Sequence, residues 1–252
     1  MDKFLQAIIN SPKQLSLVPF LGQKIKIPAG KPDGIIICGV GGSALAGETI
    51  EALIKELNIP VPIIIWKNYG LPYHFFKNPL LIFVSFSGNT EETISSFSRA
   101  KKYKLKAVIT TGGRLGKLAQ KENCPLIIIP QEKLLPRQAA GYMLFAELKI
   151  LKNFFPQIKI PNIKLDVYKS KAESQKLARK INQKIPLIYA SKQNYFLAHY
   201  WKVNFNETAG IPAFCHFLPE LNHNEIAGFS QKEFNKNFFV IFLMDPSDPD
   251  QI

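Results

Sequence analysis

Five short apolar runs recur through the first half of the chain, at residues 34–38, 61–66, 80–84, 106–110 and 126–129, and neither face of these runs is polar. Helical stretches separate them. One opens at Ser43 and is expected to reach about residue 57, another starts near residue 89, and a short one follows Gly112 and Gly113. A strand apolar on both faces belongs in a parallel sheet covered by helices on each side. The pattern predicts an α/β fold, a doubly wound parallel sheet flanked by helices.

A helix over residues 137–155 and a two-proline linker then lead into a second α/β series. It holds a basic helix at 168–184, a strand at 186–190, a helix ending near 207, a short strand near 213–218 and another at 238–243. The expected division is an N-terminal helical segment at 1–30, a first domain at 31–155, a linker at 156–164 and a second domain at 165–252. The second domain has fewer strands than the first and its last strand lies almost at the final residue, so its sheet is expected to be C-terminally incomplete.

The 252 residues suffice for one large domain or two of ordinary size, and 46% hydrophobic against 20% charged residues excludes a disordered chain. No apolar run approaches the ~18 residues of a membrane-spanning helix, and the N-terminus lacks a signal-peptide pattern. The expectation is a cytoplasmic protein with no membrane partner. Cys38, Cys124 and Cys215 have no metal spacing and predict no disulfide framework.

The net charge of +13 is concentrated between residues 99 and 184, where 20 basic residues face 5 acidic ones. Only Arg99, Arg114, Arg137 and Arg179 are arginines, whereas nucleic-acid readers lean on arginine for bidentate contacts. Lysine-rich solvated helix faces are the simplest reading, compatible with a field that attracts a small anion. No nucleic-acid partner is expected.

Ligands of open parallel sheets bind beyond the carboxyl ends of the strands. Two motifs stand there. Gly39-Val-Gly-Gly-Ser43 allows close backbone approach beside a helix start, although such turns also serve merely as connectors. It lacks the lysine of a P-loop and does not match GxGxxG. The second motif, Ser85-Phe-Ser87-Gly-Asn-Thr90, puts three hydroxyls around a glycine at a strand-to-helix turn. Hydroxyls and unpaired helix N–H groups suit a phosphate dianion; the alternative is ordinary N-capping by Ser87 or Thr90.

Together GVGGSALAGE, VSFSGNTEET, LPRQAAGYML, FNETAGIPAF and LPELNHNEIAGF resemble the bifunctional phosphoglucose/phosphomannose isomerase family, a branch of the sugar isomerase (SIS) domain superfamily. The resemblance runs from about Gly34 to Phe229 in the family's order. It implies two SIS domains and interconversion of glucose 6-phosphate or mannose 6-phosphate with fructose 6-phosphate through a cis-enediol, with no cofactor. Gly41, Gly42 and Ser43 match the first ligand loop, and Ser85, Ser87 and Thr90 match the residues that hold the substrate phosphate. Arg137 matches the arginine facing the enediolate, Glu207 the base between C1 and C2, and His223 the ring-opening acid/base. In the family that histidine comes from the neighbouring subunit, which implies a homodimer. The family usually continues its Asn-Glu pair with Asn-Ala-Lys, where Thr208-Ala-Gly210 stands here. It also adds strands and C-terminal Thr and Lys residues after the 238–243 strand. Their loss would leave an exposed sheet edge and weaken the core.

The chemistry suits these residue types. A partly buried Glu with a pKa raised toward neutrality can serve both carbons, a cation can stabilise the oxyanion, and His both gives and takes protons near pH 7. His216, His223 and Glu225 match no standard zinc spacing, so no metal is expected. His74 and His199 read as structural or surface residues. The alternative function is a non-catalytic SIS-type module that binds a sugar phosphate as a regulatory signal; only about 30 residues precede the first strand, too few for an upstream DNA-binding domain.

Overall fold

Alternation along the strands builds two cores at once in the first half of the molecule. The computed structural model describes residues 3–16, 20, 23, 25–73, 76–130, 133–160, 163, 166–246 and 248. The chain divides into two units, Met1–Leu165 and Asp166–Ile252. His74 and part of the expected linker lie outside the described residues.

The first unit opens with helix α1 (Lys3–Asn10). Strands β1 (Ile35–Cys38), β2 (Ile63–Trp66), β3 (Leu80–Ser85), β4 (Lys106–Thr110) and β5 (Leu126–Ile128) form one parallel sheet in the order β2-β1-β3-β4-β5. Ile35 pairs with both Ile63 and Leu80, and Leu81 pairs with Lys106. Helices α2 (Leu45–Ala52), α3 (Glu91–Arg99), α4 (Gly113–Lys121) and α5 (Ala140–Leu151) complete this unit. Ile35, Ile37, Leu80, Ile82 and Ile109 share a core with Ile50 of α2 and Met143 and Ala146 of α5. Their neighbours Ile36, Cys38, Leu81, Phe83 and Val108 pack with Phe97 of α3 and Leu115 of α4. Period-two side-chain alternation feeds both faces, and each fully buried aliphatic or Phe side chain stabilises by about 1.5–3 kcal/mol.

Two helices are shorter than their sequence pattern. The chain makes a 3₁₀ turn over Gly41–Ser43 before α2 begins, and beyond Ala52 it winds through turns to Asn58, whose φ of 52° asparagine tolerates. The 137–155 segment divides into a 3₁₀ turn at Pro136–Ala139 and α5. Pro136 starts that turn, and the Leu135 N–H donates to Gln138 Oε1 at 2.9 Å.

The second unit contains α6 (Val167–Ile181), β6 (Ile185–Ser191), α7 (Tyr195–Asn204), β7 (Phe214–Leu218), α8 (Lys232–Asn235) and β8 (Phe238–Leu243). Its strands make a parallel three-stranded sheet, β7-β6-β8. Ile188, Ala190 and Ile241 pack on one face with Ala198 of α7, while Leu187, Tyr189 and Leu218 pack on the other with Leu221. On the flanking strands Phe214, Val240 and Phe242 are exposed. Asp166 caps α6 by accepting from the Tyr168 and Lys169 N–H groups, and Ile181 is the one buried residue of that helix. Its lysines therefore lie on a solvated face, which accounts for part of the charge excess.

No disulfide joins the cysteines. Burial pushes the Cys38 and Cys124 thiols up to about 12, whereas Cys215 is only half-buried.

Glu147 of α5 is fully buried, and neither carboxyl oxygen has a hydrogen-bond partner. Desolvation holds its pKa well above the ordinary 4.5. A carboxyl raised on folding contributes its stability below the unfolded value and loses it as pH rises through the folded one. Glu147→Leu should therefore raise the unfolding free energy by about 2 kcal/mol. Urea unfolding at pH 5 and pH 8 should show the advantage growing with pH; a constant difference would mean that folding does not raise the pKa of this carboxyl.

Candidate active site

Strand order places the first candidate crevice. β1 lies between β2 and β3, so the chain runs one way from β1 to β2 and then crosses back to β3. The loops leaving β1 and β3 diverge at this switch point, where open α/β sheets bind ligands. They carry Gly41, Gly42 and Ser43, and Ser85, Ser87 and Thr90.

The two loops are fastened together. The Phe86 N–H donates to Ser43 Oγ at 3.1 Å, and both residues are buried. Ser85 is also fully buried, where its Oγ accepts from the Gly88 N–H at 3.0 Å and lies 2.9 Å from Thr90 Oγ1. Ser87 is exposed, and its Oγ accepts from the Asn89 N–H at 3.2 Å. Thr90 occupies the N-cap of α3 without capping it through its side chain. The capping alternative is thus not what Thr90 does: its hydroxyl turns to Ser85 and makes no cap to the first turn of α3. A helix start that its N-cap side chain leaves free, combined with the exposed Ser87 hydroxyl, favours an anion. Glu91 and Glu92 in that turn also favour the helix dipole and oppose a second negative charge.

The glycine pair that precedes the short helix after β4, Gly112-Gly113, braces this loop. Gly88 has φ 68°, and a Cβ there would lie 1.9 Å from the Gly112 carbonyl oxygen. A Cβ on Gly113 would lie 2.3 Å from the Ser87 carbonyl oxygen. Thr111 donates to the Phe86 carbonyl from both its N–H and its hydroxyl, at 3.0 and 2.7 Å. The Gly-Gly pair at 112–113 was the only sequence signal of this brace.

Arg137 joins the same neighbourhood. It lies in the 3₁₀ turn before α5 and is buried, and a Cβ on Gly42 would stand 2.9 Å from its backbone nitrogen. Gly41, exposed and at φ 56°, would meet nothing within 4 Å. The first unit thus gathers Gly41, Gly42, Ser43, Arg137 and the serine-rich loop.

Glu207 and His223 belong to the second unit. Past α7 the chain widens into a π-turn, Phe205–Ala209, in which the Gly210 N–H reaches the Phe205 carbonyl. Asn206 Nδ2 donates to the Ile211 carbonyl at 3.0 Å, and Gly210 at φ 66° ends the turn. The burial expected for Glu207 is not found: residues 207–210 are exposed because the turn carries them off the end of the helix. His223 ends a 3₁₀ turn, Glu220–His223, and is exposed. His199 is half-buried and stacks on Tyr195. His216 Nδ1 lies 3.9 Å from Glu225 Oε2, and among the described residues no group of three metal-ligating side chains converges.

Known proteins share this architecture. A family model described as "Bacterial phospho-glucose isomerase C-terminal SIS domain" matches residues 170–252. The bifunctional phosphoglucose/phosphomannose isomerase of Aquifex aeolicus is 32% identical over 85% of this chain and 68% of its own length. That of Caldicellulosiruptor bescii is 33% identical over 96% and 77%. A D-glucosamine-6-phosphate 4-epimerase of Sulfolobus acidocaldarius is 31% identical over 83% and 68%. In fold alone, the C-terminal domain of a Francisella tularensis glucosamine-fructose-6-phosphate aminotransferase aligns with a TM-score of 0.63 at 16% identity, covering 95% of this chain and 74% of that one. With the relatives matched across most of the chain in both units, the protein is an enzyme of the isomerase class and belongs to the bifunctional phosphoglucose/phosphomannose isomerase family.

Proposed function

We propose that this chain interconverts glucose 6-phosphate, mannose 6-phosphate or both with fructose 6-phosphate through a cis-enediol. Family membership supports the substrate class, and the observation that carries the reading is the braced, hydroxyl-rich loop at the sheet's switch point. Ser87, Thr90 and the uncapped start of α3 hold the phosphate; Ser85 stays buried and sets the Thr90 hydroxyl. Gly41 and Gly42 leave room for the sugar beside Arg137, and Ser43 holds the two loops together.

His223 opens the pyranose ring by protonating the ring oxygen and accepting the anomeric hydroxyl proton. Glu207 then removes the C2 proton of the aldose while the C1 carbonyl oxygen gains a proton, giving the enediol. Return of the proton to C1, with loss of the O2 proton, yields the ketose. Arg137 stabilises negative charge on the enediolate oxygens. Glucose and mannose 6-phosphates differ in configuration at C2, which is planar in the enediol, so one base serves both when the intermediate rotates about C2–C3 and presents either face of C2. No step requires a metal or an organic cofactor. The shared active site of a homodimer, with His223 supplied by the neighbouring copy, and a cytoplasmic setting complete the proposal.

Fructose 6-phosphate followed by NMR in heavy water with EDTA present should give glucose and mannose 6-phosphates deuterated at C2. A shifted phosphate resonance without turnover would favour the regulatory module. Glucosamine 6-phosphate assayed in parallel tests 4-epimerisation, the activity in the name of the Sulfolobus relative. Glu207→Gln should lower kcat by roughly 10²–10⁴-fold while sugar-phosphate binding stays within a few-fold. Normal isomerisation by that variant would show that another group is the base.

Ser87→Ala combined with Thr90→Ala should weaken sugar-phosphate binding roughly tenfold to a hundredfold, because two hydrogen bonds to a dianion are lost. Calorimetric titration measures this, and unchanged affinity would place the phosphate elsewhere. Gly42→Ala should cost about tenfold or more in kcat by displacing Arg137 and should also lower the unfolding midpoint, because the new Cβ meets backbone. Full activity would detach Arg137 from the reaction.

A further inference from the structure

Three titratable side chains meet on one face of the second sheet and have no place in the proposed reaction. Tyr189 of β6 and His216 of β7 are cross-strand partners in the parallel register. Glu225 opens the 3₁₀ turn Glu225–Ser230 and reaches both. The Tyr189 hydroxyl donates to Glu225 Oε1 at 2.5 Å. His216 Nδ1 is buried without a hydrogen-bond partner, 3.9 Å from Glu225 Oε2. Tyr189 is 2% exposed, packed with Leu187, Leu218 and Leu221, and its ring centroid lies 5.5 Å from that of Phe242.

A buried tyrosine that finds a carboxylate is by itself an ordinary way to satisfy its hydroxyl. What singles this one out is where the carboxylate sits. Leu221 is 1% exposed and anchors the chain in the core, whereas Asn222, His223 and Asn224 are exposed. Glu225 is the next residue and is half-buried. His223 therefore rides on a three-residue arch with a buried leucine at one foot and the Tyr189–Glu225 hydrogen bond at the other. Within the arch, the Glu225 N–H donates to Asn224 Oδ1 at 2.6 Å, and Asn224 Nδ2 donates to Glu220 Oε1 at 3.0 Å. The Glu225 carboxylate is the polar fastening that joins this segment to the central strand.

We propose that Glu225, held by Tyr189, is a positioning residue that fixes where the His223 imidazole stands. The inference rests on the reading of His223 as the ring-opening group. A bond between a phenol and a carboxylate is directional, so its loss lets the far foot of the arch shift while the leucine stays in place. A small displacement of an acid/base group is costly in rate without altering the groups that bind the phosphate.

The experiment measures kcat and KM on cyclic glucose 6-phosphate for Glu225→Gln, Tyr189→Phe and His223→Ala, and for each of the first two combined with His223→Ala. Glu225→Gln and Tyr189→Phe should each lower kcat roughly tenfold and leave KM within about twofold. In the His223→Ala background neither should lower kcat further, because a residue acting through His223 has nothing left to position. Wild-type kcat in both single variants, with His223→Ala impaired, would overturn the inference and leave the proposed function standing. A further loss in the double variants would also overturn it, since the fastening would then act independently of His223. Full activity in His223→Ala would instead remove the ring-opening assignment on which the inference rests. Tyr189→Phe keeps the ring and its packing, so it decides the matter even where Glu225→Gln does not fold.

Discussion

Two stretches of backbone can pass at Gly88 only because no side chain stands between them. The loop leaving β3 meets the Gly112–Gly113 turn after β4 at distances that no Cβ would permit. That approach places the Phe86 carbonyl against Thr111 and the Phe86 N–H against Ser43, so one glycine crossing lines up the ends of β1, β3 and β4. The hydroxyls of Ser85 and Thr90 then have a fixed direction, and the start of α3 is presented rather than capped. Much of the order at the proposed phosphate site is backbone order. Those contacts hold the loop without help from a ligand's own groups, an arrangement that limits the conformational cost of binding.

The side chains named for the proposed reaction stand on different kinds of support in the two units. The first supplies the glycine-lined space, the hydroxyls and a buried arginine; the second supplies an exposed carboxylate and an exposed imidazole. The first group is held by buried hydrogen bonds and the second stands on short turns. On the proposed reading, the groups assigned to the phosphate rest on scaffolded backbone, and those assigned to proton transfer are carried on a π-turn and a 3₁₀ turn.

The strands were legible because burial on both faces leaves a continuous apolar run, a signal carried by the residues themselves. Helix ends were less legible: Asn58 and Pro136 redirect the chain through local backbone preferences that a hydrophobic pattern does not register. The serine-rich loop was recognisable as a site, but the roles of its hydroxyls were not. Ser85 is buried and Ser87 exposed because Gly88 adopts a left-handed conformation against a turn more than twenty residues away. The exposure of Glu207 was hidden for a similar reason, since an α-helix and a π-turn share the same composition. The Tyr189–Glu225 bond depends on the parallel register of β6 and β7 and on the path of the following turns. A lone tyrosine in an aliphatic strand was its only trace.

The cysteines give the two units different chemical accessibility. Cys38 lies inside the first unit's sheet and Cys124 beside it, both as neutral thiols that a thiolate-seeking reagent will not attack in the folded state. Cys215, on β7 next to His216, is only half-buried, and its sulfur contacts the Tyr195 hydroxyl at 3.6 Å. Alkylation in native buffer will therefore mark the second unit alone. Modification at Cys38 will register openings of the first unit, so that half of the chain carries a built-in clock that times its own breathing.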